Sequence, residues 1–449
     1  MALSSPSLNE PDPVRLPPGA ASDGTVVAAL RPVLKALTGD EPPVRIELWD
    51  GSAIGPSTAP GTIRVRSAAA LRRIVWAPGG LGLARAHVAG ELDVDGDLVG
   101  LLDALKGHSR PDQRVGLRGW LAALVAAARV HALGPPPAPP QEEVRPRGLL
   151  HSKARDARAV SHHYDVGNEF YDIVLGQAMT YSCAYFDDPG RTLAEAQAAK
   201  HELVSRKLGL HERSGARLLD VGCGWGSMAI HAALHHGASV VGVTISAEQA
   251  HRARERVEAA GLGDQVEVRL QDYRDVRGET FDAISSIGMF EHVGQRRTAE
   301  YFGRLSELLR PTGRLLNDAI SSVTGSRLRR RSFTGRYVFP DGELLDVGEV
   351  VLAMESAGLE VRDLESLREH YARTLRAWSG NLEAGWEEAV RLVGEARARV
   401  WRLYMAGSAV GFDDGGISIH QVLGVRPAAD GRSGMPSTRE SWLAGTLRP

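Results

Sequence analysis

From Ala216 onward, apolar runs and amphipathic stretches alternate. ARLLDVG (216–222) is a short apolar run ending in a glycine turn, and MAIHAALHHG (228–237) has helical periodicity and closes on Gly237. SVVGVTIS (239–246) predicts a second strand, and AEQAHRARERVEAAG (247–261) a helix ending at Gly261. QVEVRLQD, FDAISSIG and GRLLNDAI continue the series of strands. Strands alternating with helices predict a parallel, doubly wound sheet. Ahead of this region the pattern changes. VRIELWDG and GTIRVRS alternate as strands, while SAAALRRIVW and residues 98–105 repeat as helices, which predicts a smaller α+β unit.

The breaks between these patterns divide the chain. Residues 1–22 are rich in Pro, Ser and Gly and are expected to be disordered. Residues 23–133 form the α+β unit. The stretch 134–148 holds six prolines and predicts an extended linker. Residues 149–426 form the α/β domain, and 427–449 a C-terminal tail. Trp120 to Leu133 is the most apolar stretch, but it is too short to span a bilayer and Arg129 interrupts it. It reads as an amphipathic helix packed on its own domain.

Composition narrows the partners. A net charge of −2 provides no electrostatic case for nucleic acid. Two cysteines, Cys183 and Cys223, do not make a disulfide framework, so a reducing compartment fits. MALSSPSLNEPDP lacks a basic segment followed by an apolar one, so it does not read as a secretory signal. Asp93, Asp95 and Asp97 with Gly96 do not have the spacing of a calcium loop, and no metal is expected.

The strongest local signal is Leu218-Leu219-Asp220-Val221-Gly222-Cys223-Gly224-Trp225-Gly226. Glycines at alternate positions let backbone approach a ligand and accept positive φ. In open α/β sheets, ligands bind at the carboxyl ends of such strands. A dinucleotide site carries its third glycine one position later and an acid about 20 residues on. Here the spacing is Gly222, Gly224, Gly226, and Thr244 stands where that acid belongs. Asp220 is placed to attract a cation. These features favour S-adenosylmethionine, a sulfonium with no phosphate, over a nicotinamide cofactor. Ser246 and Gln249 also have the spacing of a helix capping box. Asp272 and Tyr273, after the third strand, sit where they can flank an adenine.

Seven motifs together resemble the cyclopropane fatty-acyl-phospholipid synthases and mycolic acid methyltransferases. They are SHHYDVGNEFYDIVL (161–175), MTYSCAYF (179–186), LLDVGCGWGSMAIHAA (218–233), VVGVTIS with Glu248-Gln249, SIGMFEHVG (286–294), RYVFPDGEL (336–344) and HYARTLRAW (370–378). The resemblance implies a Rossmann-like class I S-adenosylmethionine methyltransferase domain preceded by the smaller α+β domain. It also implies that Tyr181, Ser182, Gly222, Gly224, Thr244, Gln249, Asp272 and Tyr273 line the cofactor site. Cys183, Glu291 and Tyr371 match side chains that hold a bicarbonate ion in cyclopropane-forming members. His292 is a further catalytic candidate.

The implied reaction moves a methyl group onto the double bond of an unsaturated acyl chain, oleoyl in phospholipid being the expected substrate. An alkene is a weak nucleophile, so alignment and exclusion of water must do much of the work. The carbocation that follows is stabilised by aromatic faces and carboxylates. Tyr164, Phe170, Tyr171, Phe290 and Tyr371 are candidate walls. Cyclopropane-forming members carry a histidine two residues before an isoleucine, in a pattern like L-L-H-x-I. In Leu315-Leu316-Asn317-Asp318-Ala319-Ile320, Asn317 is read as replacing the histidine and Ala319 the isoleucine. Asn cannot share a proton near neutral pH, and Asp318 opposes an anion, so bicarbonate binding stays open, with Asp318 or His292 as the candidate substitute base. A cation deprotonated slowly rearranges, which predicts a 10-methylene chain, with a separate reductase completing a 10-methyl lipid. Cyclopropane synthesis is the alternative. A small-molecule methyltransferase and a lipid-binding protein with a degenerate site are the readings from other classes. The resemblance places the protein in the cytoplasm, peripheral to the inner face of the membrane; Arg327 and Arg329 to Arg331 read as a solvated basic loop, with contact to anionic headgroups as the alternative. The N-terminal domain is expected to present lipid or to form a homodimer.

Overall fold

The computed structural model describes residues 25–38, 42–108, 117–144, 155, 166–323 and 332–440. The N-terminal 22 residues, Tyr164 and the Arg327–Arg331 run lie outside the described residues.

The N-terminal domain is built as its patterning predicts. Helices α1 (Thr25–Thr38), α2 (Ala68–Trp76), α3 (Gly80–Val88), α4 (Leu98–His108) and α5 (Leu117–Arg129) surround a four-stranded sheet of order β2-β1-β3-β4. The strands are β1 (Arg45–Glu47), β2 (Ala53–Ile54), β3 (Gly61–Val65) and β4 (Leu92–Gly96). Asp93 and Asp95 belong to β4. Asp95 pairs with Arg64 across the sheet, and Asp93 pairs with Arg66, so both carboxylates are already satisfied by arginines. Helix α5 buries its small residues, Ala126 and Ala127, while Leu121 and Val125 remain about half exposed at 54% and 51%.

The second domain carries the sheet β7-β6-β5-β8-β9-β12-β11, with β10 (Leu345–Asp346) added beside β9. Strands β5 (Arg217–Val221), β6 (Ser239–Thr244), β7 (Val266–Leu270), β8 (Phe281–Ile287) and β9 (Leu309–Ser322) are parallel. Here the expectation of a purely parallel sheet needs correction. β12 (Ile417–Val425) enters between β9 and β11 (Glu360–Ser366) and runs antiparallel to both. Helices α8 (Ser227–His236) and α9 (Ala247–Ala259) make the crossovers beside the glycine loop. Helix α6 (Asn168–Leu175), helix α7 (Leu193–Lys207) and the helices α13 (Arg368–Ala384), α14 (Trp386–Val393) and α15 (Glu395–Asp413) complete the wall over the carboxyl end of the sheet. Between them lie α10 (Thr298–Leu308), α11 (Phe333–Tyr337) and α12 (Val347–Ser356).

The proline-rich connection has no helix or strand over residues 134–144, yet it is strapped down. Trp76 Nε1 donates to the carbonyl of Gly134 at 2.9 Å, and Arg73 to that of Ala138 at 2.7 Å. Arg85 forks onto Glu143 at 2.7 and 2.8 Å, and Val144 N–H donates to Arg336 O. The domains also meet directly. Arg399 on α15, only 5% exposed, donates to both oxygens of Asp93 at 3.2 and 3.1 Å and to Glu395. Arg402 reaches the carbonyl of Val94.

Removing one partner of a buried ion pair strands the other charge. Asp93 retains Arg66, which softens the loss. Arg399→Ala is therefore expected to cost about 2–3 kcal/mol in denaturant unfolding. A double-mutant cycle with Asp93→Ala should return a coupling above about 1 kcal/mol; additive losses would show that the contact does not join the domains.

Candidate active site

Strand β5 ends at Val221 and the chain turns through Gly222, Gly224 and Gly226, at φ of 76°, 54° and 81°. L side chains avoid that region, and a Cβ on Gly222 would sit 2.9 Å from the Met289 side chain. The turn forms the floor of a cavity bordered also by Tyr181, Ser182, Thr244, Gln249, Asp272 and Tyr273. The residues expected at the cofactor, Asp220 included, therefore share one cavity, except Gly226, which shapes the turn without lining the cavity.

Their interactions separate positioning from availability. Asp220 is 2% exposed, accepts from Ser285 Oγ at 2.7 Å and leaves its second oxygen without a partner. Burial pushes its carboxyl up to about 6, against the pull of Ser285 and Lys200. Gln249 N–H donates to Ser246 Oγ at 3.2 Å, which caps α9. The reciprocal half of a capping box is absent: the Gln249 side chain accepts from Thr244 Oγ1 at 2.9 Å. Asp272 is engaged by Arg274 at 2.6 and 2.9 Å, and that guanidinium also lies over the Tyr273 ring. Lys200 Nζ donates to Ser182 Oγ at 3.0 Å. Lys200 is buried, and burial brings its ammonium down to about 8 although Asp318, Cys183 and Asp220 hold it up.

Beyond the cofactor residues lies an aromatic chamber. Tyr181 stacks on Trp378 at 5.2 Å, and its hydroxyl donates to that of Tyr404 at 3.5 Å. Tyr171 meets Trp225 at 4.6 Å and Trp401 at 5.4 Å, and Phe170 meets Trp401 at 5.5 Å. Tyr371 touches Trp378 and Phe412. Of the expected wall residues, Phe170, Tyr171 and Tyr371 join this cluster. Phe290 does not: it packs with Tyr301 and Phe302 in the core on the other side of the sheet. Trp378, Trp401 and Tyr404 were not assigned to the wall from the sequence, because aromatic residues on helices read as ordinary core; Trp225, in the glycine turn, was quoted there without a role.

Cys183, Glu291 and Tyr371 come together. Cys183 is fully buried, directs Sγ to the carbonyls of Ala184 and Leu367, and keeps its proton because burial raises its thiol. Burial likewise raises the phenol of Tyr371, which feels Cys183, Glu291 and Asp318. Glu291 Oε1 accepts the N–H of Ile320 at 2.7 Å, while Oε2 is buried without a partner. Burial drives this carboxyl up to about 7. His292 borders the cofactor cavity, its ring against Phe339.

Asn317 requires correction. Successive strand residues face opposite sides. Asn317 turns to the α10 side, where Tyr301 donates to its Oδ1 at 3.3 Å. Asp318 faces the other way. Its Oδ2 accepts from Gln421 at 3.0 Å, its Oδ1 has no partner, and its charge reaches Cys183 and Lys200. Asp318 also stands two residues before Ile320, the residue whose N–H binds Glu291. The group that shares the chamber with Cys183 and Tyr371 is therefore the carboxylate of Asp318, and Asn317 belongs to the support behind it.

A family model described as mycolic acid cyclopropane synthetase matches residues 151–422. The chain belongs to that family. Its members in the comparison include a probable fatty acid methyltransferase of Mycobacterium tuberculosis, 44% identical over 88% of this chain and 93% of that protein. The tuberculostearic acid methyltransferase of the same organism is 33% identical over 92% and 94%. The structure of a mycolic acid cyclopropane synthase complexed with SAH and CTAB superposes with a TM-score of 0.56 at 33% identity, over 60% of this chain and 97% of that one. As a member of the mycolic acid cyclopropane synthetase family, the protein is an S-adenosylmethionine-dependent methyltransferase. The cavity fits that cofactor: a close-approach glycine turn meets a buried carboxylate with one oxygen left for a cation. Asp220 supplies the charge, and Tyr181, Ser182, Thr244, Gln249 and Tyr273 supply the walls.

Because the Asp220 carboxyl sits near 6 without a cation, a cationic cofactor must bind its ionised form. Affinity is therefore expected to strengthen as pH rises from 5 to 7, by up to about tenfold per unit below that pKa. Asp220→Asn should weaken binding by roughly 30-fold or more and flatten the pH dependence. Titration calorimetry showing the same slope in both proteins would remove Asp220 from this role.

Proposed function

We propose that this methyltransferase acts on the cis double bond of an unsaturated fatty acyl chain in phospholipid and yields a 10-methylene chain. One alkene carbon takes the methyl group, and the sulfonium leaves as a neutral thioether. The neighbouring carbon is left as a cation. A hydride shift moves the charge to the methyl-bearing carbon, and loss of a proton from the methyl group gives the exocyclic methylene. The names of the relatives, a fatty acid methyltransferase and a tuberculostearic acid methyltransferase, support the substrate class.

The observation that carries this reading is Asp318. A fixed buried carboxylate with one oxygen unpartnered, beside Cys183 and Tyr371, supplies a base from the chain itself. A bicarbonate at the grouping of Cys183, Glu291 and Tyr371 would meet Asp318 as an additional acidic group, which disfavours it. The aromatic faces of Tyr171, Tyr181, Trp378 and Trp401 are suited to hold a cation within an acyl chain. A second reading, cyclopropane synthesis, is favoured by the grouping of Cys183, Glu291 and Tyr371; there no hydride shifts, the methyl group loses a proton, and the freed C–H electron pair bonds to the cationic carbon to close the ring. Among the described residues no helix is long and apolar enough to cross a membrane. The acyl chain is thus met from the membrane surface, with exposed Leu121 and Val125 on α5 available to it. A separate reductase would saturate the methylene.

The test is mass spectrometry of fatty acids from a bacterium lacking its own cyclopropane synthase, fed oleate and expressing this chain. A gain of one CH2 that consumes an equivalent of hydrogen on reduction, and cleaves on ozonolysis, is the expected product. Asp318→Asn should lower turnover about 10²–10³-fold. Asp318→His should shift product toward the ring, while Asn317→His should leave the ratio unchanged. A ring as the wild-type product, or a ratio governed by Asn317 instead, would overturn the assignment of Asp318.

A further inference from the structure

Behind the cofactor cradle, helices α7 and α8 bring together a set of side chains that the methyl transfer does not use. Glu202 of α7 faces His231 and His236 of α8. Glu202 Oε2 lies 2.9 Å from His236 Nε2 and 3.3 Å from His231 Nε2, and the three donor atoms are mutually within 4.8 Å. None of the three borders the cofactor cavity. We propose that Glu202, His231 and His236 form a zinc site.

The donor set and its spacing suit that ion. Zinc takes imidazole nitrogen and carboxylate oxygen at about 2.0–2.2 Å, in a tetrahedron whose edges are then roughly 3.3 Å. Two of the separations, 2.9 and 3.3 Å, are already near that edge, and the third lies within 4.8 Å. The His231 and His236 side chains are 12% and 8% exposed, and that of Glu202 is 26% exposed. The site is thus dry on the imidazole side and open on the carboxylate side, where a water can take the fourth position. Arg206 donates to the other oxygen of Glu202 at 2.6 Å. That contact orients the carboxylate from behind, as outer partners of metal ligands do, and leaves Oε2 for the ion.

Two neutral imidazoles donating to one carboxylate would also account for the geometry, and the two explanations differ in what zinc does. A bound ion would staple α7 to α8. Lys200 and His201 of α7 and Ser227 and Met228 of α8 border the cofactor cavity, so the staple would stiffen the cradle from behind.

The full chain, stripped with a chelator and dialysed, should bind about one equivalent of zinc in a calorimetric titration. Cobalt(II) in its place should give the intense visible bands of a tetrahedral nitrogen–oxygen site. Zinc should raise the melting temperature by roughly 2–4 °C through binding to the folded state alone. His231→Ala and His236→Ala should each weaken zinc binding at least tenfold and abolish the shift, while circular dichroism and S-adenosylmethionine binding report that the variants fold. If a variant does not fold, the wild-type cobalt spectrum and melting shift decide. Absence of stoichiometric binding, a six-coordinate cobalt spectrum, or affinity unchanged in both variants would overturn the proposal.

Discussion

A carboxylate taken out of water needs a cation, hydrogen-bond donors or a proton, and this fold buries three of them around the carboxyl end of one sheet. Asp220, Glu291 and Asp318 each keep one oxygen without a partner. Their supports are few: a serine hydroxyl for Asp220, a backbone amide for Glu291 and a glutamine amide for Asp318. Lys200 is the ammonium that Asp220 and Asp318 share, held by Ser182 and depressed by its own burial. The arrangement is electrostatically incomplete. A cationic cofactor balances it at Asp220, and a developing carbocation would do so at the other two. Dry carboxylates that cost stability in the resting protein become stabilising when positive charge arrives.

The aromatic chamber belongs to the same economy of charge. Tyr181, Tyr371 and Tyr404 carry hydroxyls whose protons burial retains, so their rings add polarisable faces without adding negative charge. Cys183, kept as a thiol, is likewise neutral. Among the described residues, the charge of the chamber is left to the acids of the sheet's carboxyl end and to Lys200 of α7.

What could be read from the chain alone follows from how local each signal is. The glycine turn after β5 was legible because spacing, strand and following helix are consecutive, and Asp220, Thr244 and Gln249 come with it. The helix cap at Ser246 was legible for the same reason, although only half of the box formed. Asn317 was placed in the site, with Asp318 only as a substitute base, because parity along β9 depends on register with β8 and β12, which no short window reveals. The strands β11 and β12 went unassigned since they are separated by the long helices α13 to α15. Lys200 sits in a helix of ordinary polar character, and only the fold shows that its ammonium enters the chamber. Glu202 and the two histidines are 29 and 34 residues apart, on helices whose facing surfaces emerge only on packing.

The antiparallel strand β12 ties chemistry to the order in which the chain is made. Gln421, which carries Asp318, lies on a strand that slots between β9 and β11 near the end of the described chain. During synthesis β9 must wait with an open edge through roughly a hundred further residues before its neighbour leaves the ribosome. Until then Asp318 has no amide to meet and the chamber has no back wall. A nascent chain thus acquires the glycine turn early and its reaction centre last, so an interrupted polypeptide can hold a cofactor-binding loop without the groups needed to use it.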